Sequence, residues 1–326
     1  MSKEFKFIWI DDDPERSSDS TSLSFRLGIE IDFKCVKDKK LTSELESIML
    51  GEEPDLIIID HKLEDVDSKI FKTGSSSAAL IREKWPACPI VCMTGITKNK
   101  LDSRKVWIYD EVFQIVDISK TDKTLVAIAE GFRKLKKKPP QKLADIIERL
   151  KAPKAELKRL EAVIPKVLKE NFNDSSLIVN ISGWIRRVLF KRPGFLYDRL
   201  WTSTLLGLNE NGFQKVEDVF VEAKYSGVFN DESNERWWKS EVLRILSKKV
   251  EGNKLPWEKG QLISGLNKGD FSKCYVSNSD FPEVVAFIDE SESSEQVPML
   301  LKYTERHPNY EDLLYFDEIR IMKAAE

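Results

Sequence analysis

Apolar and polar positions follow two rhythms along the first 140 residues. Short, nearly unbroken apolar runs cover 5–10, 56–59, 89–93 and 112–116. Runs of this length read as strands buried on both faces, as in parallel sheets. Residues 29–36 alternate apolar and polar, which reads as a strand nearer an edge. Between these runs, apolar residues recur at three- and four-residue spacing, predicting helices over 14–26, 41–50, 74–85, 98–106 and 122–138. In the last of these, Leu125, Ile128, Ala129, Phe132 and Leu135 share one face. Pro14 suits a first helical turn and Gly51 suits a helix stop. Five strands alternating with five helices predict an α/β fold with a doubly wound parallel sheet and right-handed crossovers.

The rhythm changes at Pro139-Pro140, which follows the basic helix end 133–138 and marks a domain boundary. The chain is therefore read as 1–138 and 139–326. Residues 141–171 have helical periodicity, but Pro153 and Pro165 interrupt it. Helical hairpins or a short dimerising bundle fit this better than a continuous coiled coil, so a homodimer is an open expectation. A helix is expected over 181–190, with Trp184 on its apolar face and Arg186 and Arg187 opposite. Helical periodicity returns over 212–238 and 241–250. Residues 274–276 and 284–288 read as strands, 289–295 as a polar loop, and 315–322 as a strand or helix. The second domain is thus expected to be mostly helical α+β.

Charge sharpens this division. The 326 residues carry a net charge of −3, unevenly spread. Residues 1–132 hold 19 Lys+Arg and 25 Asp+Glu, residues 133–201 hold 18 and 7, and residues 202–326 hold 15 and 23. The basic middle needs an acidic partner or an acidic neighbour. Over 186–201, arginines and lysines interleave with Phe195, Tyr197 and Trp201. That pattern can bind nucleic acid through phosphates and stacking. The competing reading is stronger: the aromatics are core and the basic residues a solvated or ion-paired face. Four cysteines without C-x-x-C spacing signal neither a disulfide framework nor a zinc site. No apolar run reaches membrane-spanning length and no signal-peptide core is evident, so a reduced, cytoplasmic protein is expected.

The predicted strand ends deliver chemistry to one crevice, because parallel α/β sheets place function beyond the carboxyl ends of their strands. Asp11 and Asp12 follow the first strand, Asp60 the third, Thr94 the fourth and Lys120 the fifth. Taken singly, each has a blander role as a cap, turn residue or solvated cation. Together, three carboxylates, a hydroxyl and an amine suit a hard divalent ion such as Mg2+ and a phosphoryl group held on Asp60.

Ile10-Asp11-Asp12, Asp60, Thr94 and Lys120, in this order, resemble the receiver domain of two-component response regulators over about residues 1–138. The resemblance implies the flavodoxin-like strand order 2-1-3-4-5 and Asp60 as phosphoacceptor. It implies Mg2+ held by Asp11, Asp12, Asp60 and the backbone carbonyl of Lys62, with Thr94 as the switch hydroxyl and Lys120 pairing with a phosphoryl oxygen. Asp13 would cap the helix that begins at Pro14. The implied partner is a sensor histidine kinase or another phosphodonor. Three positions depart from the pattern: Glu64 and Thr121 stand where proline is usual, and Asp117 stands where the aromatic switch residue is usual. Phe113 and Tyr109 lie nearby. Residues 139–326 resemble no family. Their expected role is a protein-protein output, with alternatives in a DNA-binding regulator using the 186–199 surface, a receiver-regulated enzyme, or an interaction scaffold.

Overall fold

The computed structural model describes residues 5–37, 41–63, 73–97, 100–101, 106–288 and 295–304. Five parallel strands form one sheet: β1 (Lys6–Asp11), β2 (Glu30–Cys35), β3 (Leu56–Ile59), β4 (Ile90–Thr94) and β5 (Glu111–Gln114). Their order is β2-β1-β3-β4-β5, the doubly wound order of flavodoxin and CheY. β1, β3 and β4 are buried along almost their whole length. This is why their sequences are nearly continuous apolar runs rather than alternating ones. Ile8, Ile10, Ile57 and Ile59 join one core cluster with α2 (Leu41–Met49) and α3 (Gly74–Lys84). Phe7, Trp9, Leu56 and Ile58 alternate to the other face and are fully buried. Two further helices described in this part of the chain are α1 (Arg16–Leu27) and α4 (Asp122–Lys137). The helix begins at Arg16 rather than Pro14, so Asp13 is not its cap: its Oδ1 accepts the Glu15 amide at 3.0 Å in a turn just ahead of α1.

The fifth strand departs from expectation. It ends at Gln114, and residues Ile115–Lys120 form a 3-10 helix with no buried residue. Val116, apolar enough to predict a strand position, is 83% exposed. β5 is the sheet edge, where an apolar side chain does not guarantee burial. The consequence is that Lys120 does not stand at a strand end.

Basic residues of α4 find acidic neighbours in the same unit. Arg133 makes a two-point pair with Asp55, at 3.0 and 2.7 Å, and Lys136 meets Glu53 at 3.1 Å. Part of the positive charge after residue 132 is thus matched by the acidic first domain.

The chain resolves into two compact units that interleave in sequence. The first contains Met1–Asp145, Pro165–Gly183 and Val228–Ser233; the second contains Ile146–Ile164, Trp184–Gly227 and Asn234–Glu326. Along the chain come α5 (Leu143–Leu150), α6 (Leu157–Val163), α7 (Val167–Glu170) and α8 (Leu177–Trp184), broken at Pro153 and Pro165 as the sequence predicts. The second unit continues with β6 (Leu196–Tyr197), α9 (Arg199–Leu205), α10 (Glu210–Val216), β7 (Trp237–Trp238), α11 (Lys239–Lys249) and α12 (Pro256–Gly260). Leu206, Leu208, Phe213, Phe220, Trp237, Val242 and Leu246 form its core. β8 (Val284–Phe287) pairs antiparallel with β9 (Gln296–Met299).

Two further expectations are corrected in this half. The helix at 181–190 does not keep its period: α8 passes into a π turn, Ile185–Leu189, closed by the Phe190 amide on the Ile185 carbonyl at 2.9 Å. The extra residue rotates Arg186 off the polar face, and it is buried. Residues 274–276 form a turn rather than a strand, with Tyr275 and Val276 exposed. The expected 98–106 helix and 289–295 loop lie largely outside the described residues, and 315–322 wholly so. Among the described residues no helix is long and apolar enough to cross a membrane.

Candidate functional site

Parallel pairing fixes which side chains meet. Ile10 lies beside Ile59 in register, so the residues just past them, Asp11 and Asp60, emerge side by side at the carboxyl edge of the sheet. The Asp60 amide donates to the Ile10 carbonyl at 3.1 Å, which extends the pairing by one residue. The outcome is a cluster of Asp11, Asp12 and Asp60, each offering a carboxylate oxygen within 4.8 Å of the others.

Asp11 is the most enclosed of the three. Its Oδ1 accepts the Asp13 amide at 2.9 Å, and its Oδ2 accepts the Trp9 indole N–H at 3.3 Å. Burial nonetheless dominates and, with the Asp60 and Asp12 charges, lifts its carboxyl from 3.8 to about 7. Asp60 is also raised, chiefly by burial, with the Asp12 charge adding to it. Three donors oppose that rise: the Thr94 hydroxyl and the amides of Lys62 and His61. The Lys62 amide lies 3.1 Å from Asp60 Oδ2. Thr94 is buried at the end of β4, and its Oγ1 also accepts the Ile96 amide at 3.2 Å.

The donor set is all oxygen, comes from the ends of two strands, and is electrostatically strained by like charge. These features fit a hard, oxygen-preferring divalent cation such as Mg2+.

A stability consequence follows for the metal-free chain. Between 3.8 and about 7 the folded chain keeps a proton on Asp11 that the unfolded chain has released. Stability therefore falls as pH rises through that window. Asp11→Asn is expected to lessen the slope, the raised Asp60 carboxyl keeping a part of it, and to stabilise the metal-free chain at pH 8 by about 1–3 kcal/mol. Urea unfolding midpoints at pH 5 and pH 8 check this; equal pH slopes in both proteins would contradict it.

Of the expected site residues, the structure gathers Asp11, Asp12, Asp60 and Thr94, with Lys62 next to them. It does not bring Lys120 in. The Lys120 ammonium is exposed and pairs with Asp117 at 2.8 Å, because the 3-10 helix after Gln114 carries it away from the strand edge. In register with Thr94 stands Gln114 instead, whose amide donates to the Ile96 carbonyl at 2.8 Å.

Sequence reasoning missed a second layer behind Asp60. The His61 ring lies edge-on to Tyr109, and its Nδ1 is 3.3 Å from the Tyr109 hydroxyl; both are buried. Tyr109 also bonds the Ser75 side chain. The Gly74 amide donates to the His61 carbonyl at 2.8 Å. A Cβ on Gly74 would stand 1.9 Å from the Asp60 carbonyl oxygen, so glycine is required by close approach. The start of α3 is thereby seated on the turn that carries Asp60. Residues 64–72, including Glu64, lie outside the described residues.

The 186–199 surface loses much of its case for nucleic acid. Trp184, Arg186, Phe195 and Tyr197 are buried, and Arg199 pairs with Glu217 at 2.7 Å and Glu235 at 3.3 Å.

No protein-family model matches the chain, and no curated protein does. Among solved structures it is similar to response regulator protein TrrA from Thermotoga maritima, in complex with Mg(2+)-BeF. That match has 23% identity, covers 34% of this chain and 85% of that one, and has a TM-score of 0.28. It is similar to the signal receiver domain of an HD domain-containing protein from Pseudomonas fluorescens, at 16% identity, 42% and 96% coverage and TM-score 0.35. A CheY-like response regulator receiver domain from Methylobacillus flagellatus gives 19% identity, 39% and 99% coverage and TM-score 0.31.

Proposed function

We propose that this chain, whose first unit has the receiver-type sheet order, is a response-regulator-like signalling protein phosphorylated on Asp60. The observation that carries the reading is the meeting of Asp11, Asp12 and Asp60 within 4.8 Å, with the Thr94 hydroxyl on Asp60. An Asp60 oxygen attacks phosphorus, and the donor's P–N or P–O bond breaks. The product is a mixed carboxylic–phosphoric anhydride; a P–N donor's leaving nitrogen takes its proton from solvent, and an acyl phosphate leaves as its free carboxylate. Asp11, Asp12, Asp60 and the Lys62 carbonyl would hold Mg2+, which when bound neutralises the carboxylates and the charge on the transferring group. Thr94 is placed to give its hydroxyl to a phosphoryl oxygen. Lys120 would do the same only after its exposed ammonium leaves Asp117.

The donor is a sensor histidine kinase or a small acyl phosphate. The receiver is taken to span residues 1–138, and residues 139–326 to act as a protein-interaction output. The burial of Arg186 and the pairing of Arg199 support that choice over DNA binding. The test is incubation with acetyl phosphate and Mg2+, followed by intact mass. One added phosphoryl group is expected, and chelating the metal should slow its appearance by on the order of 100-fold. Equal labelling with and without Mg2+ would refute the metal's role; no labelling would refute the reading.

A further inference from the structure

His61 is held at every polar group that the turn gives it. Its amide donates to the Asp60 carboxylate, and its carbonyl accepts the Gly74 amide at 2.8 Å. The same 61–62 peptide carries the Lys62 amide, which donates to Asp60 Oδ2 at 3.1 Å. Its ring is the third attachment: Nδ1 lies 3.3 Å from the Tyr109 hydroxyl, with the two rings edge-on. Two backbone bonds leave the ring to fix how the turn is rotated against α3.

Tyr109 is a firm post for that ring. Both of its neighbours are fastened to α3 by one side chain. Arg82 donates to the Ile108 carbonyl at 3.3 Å and to Asp110 Oδ2 at 2.8 Å. Asp110 in turn accepts the Ile90 amide at 2.8 Å, which anchors the segment on β4. The Tyr109 hydroxyl also bonds the Ser75 side chain, which meets Thr73 Oγ1 at 2.8 Å. A hydrogen-bonded chain therefore runs Thr73–Ser75–Tyr109–His61 from the start of α3 to the turn that carries Asp60. Tyr109 stands just before β5, at the opposite end of that strand from Gln114, the register partner of Thr94. It is placed to act on the 60–62 turn rather than on Thr94.

The choice of polar residues here calls for a reason. Tyr109 belongs to the apolar core between the sheet and α3, and His61 is buried beside it. Phenylalanine would fill the same space with no polar atom to satisfy. A buried hydroxyl or imidazole opposes folding unless it finds a partner. Here each supplies the other's partner, and the bond they form is directional where apolar packing is not. We infer that Tyr109 and His61 are a positioning pair: their hydrogen bond sets the 60–62 turn so that the Asp60 carboxylate and the Lys62 carbonyl meet Mg2+ together, and it thereby sets the site's affinity for the ion. This rests on the metal-ligand part of the reading above.

The test uses unfolding midpoints of the full chain, without metal and over a series of Mg2+ concentrations. The metal-free midpoint reads the fold, and its rise with Mg2+ reads affinity. Tyr109→Phe keeps the ring and is expected to weaken Mg2+ binding by about tenfold, the scale of partners that orient metal ligands. His61→Leu should do the same. The double variant should be no weaker than either single one, because both remove the same bond. His61→Asn, whose side-chain amide can stand in for Nδ1, should recover most of the affinity. A Tyr109→Phe chain that needs no more Mg2+ than the wild type, whatever its metal-free midpoint, would overturn the inference. Single effects that multiply in the double variant would overturn it too. A wild-type midpoint that Mg2+ does not raise would overturn the metal reading and the inference with it. A wild type that binds Mg2+ but takes no phosphoryl group from acetyl phosphate would overturn only the phosphoacceptor reading.

Discussion

Asp60→Asn is expected to lose the phosphoryl adduct, by a factor on the order of 100 or more, which is about 2.7 kcal/mol in barrier terms. An amide oxygen is a poor nucleophile and cannot end as the same anhydride. The neighbouring carboxylates do not substitute for it. Asp11 is buried and occupied by the Trp9 indole and the Asp13 amide, and only Asp60 receives the Thr94 hydroxyl and the Lys62 amide. The same replacement should make the metal-free chain more stable above neutral pH. Burial raises the Asp60 carboxyl, and Asp12 adds repulsion, so ionising it opposes folding there. Loss of labelling with gain of stability separates a functional residue from a structural one. The checks are intact mass after acetyl phosphate treatment and urea unfolding without metal. Labelling at the wild-type rate would remove Asp60 from its role.

Gly74→Ala is expected to damage both the fold and the site. The added methyl would lie 1.9 Å from the Asp60 carbonyl oxygen and 3.0 Å from the Tyr109 hydroxyl. Backbone cannot yield as a flexible side chain can, so α3 or the 60–62 turn must shift. A loss of roughly 2–4 kcal/mol is expected from overpacking of this kind. The shift falls on the Gly74–His61 bond, the link that seats α3 on the turn carrying Asp60. Labelling should therefore slow even where the variant is fully folded. Denaturant midpoints and labelling rates at low temperature read the two effects apart. A variant as stable as the wild type would mean that α3 does not seat on Asp60 as described.

What could be read from the sequence follows a physical division. β1, β3 and β4 were legible because a strand buried on both faces must be apolar at nearly every position. Asp11, Asp12 and Asp60 were legible because they end such strands, and parallel register then brings them together. α4 was legible from the period of Leu125, Ile128, Phe132 and Leu135. β5 was legible only in part. At the sheet edge Ile115 and Val116 carry strand-forming side chains without the burial that would hold them, so Lys120 was misplaced. Arg186 was misplaced for another reason: a π turn breaks the helical period, and composition does not announce it. The pairing of His61 with Tyr109 spans 48 positions and depends on two loops meeting. One signal did exist for the place of Val228–Ser233 in the first unit. Gly131 interrupts an otherwise favourable helix, and an isolated glycine there has a packing reason; a Cβ on it would meet the ring of Phe229, far along the chain.

The most direct measurement of the central claim is chemical trapping of the phosphorylated residue. Borohydride reduces a carboxylic–phosphoric anhydride to an alcohol, converting a phosphorylated aspartate to homoserine. The chain should be treated with acetyl phosphate and Mg2+, reduced, digested and mapped by mass. Homoserine is expected at position 60 alone, and only when the metal is present. Homoserine at position 11 or 12, or at none, would contradict the assignment of Asp60 as the phosphoacceptor.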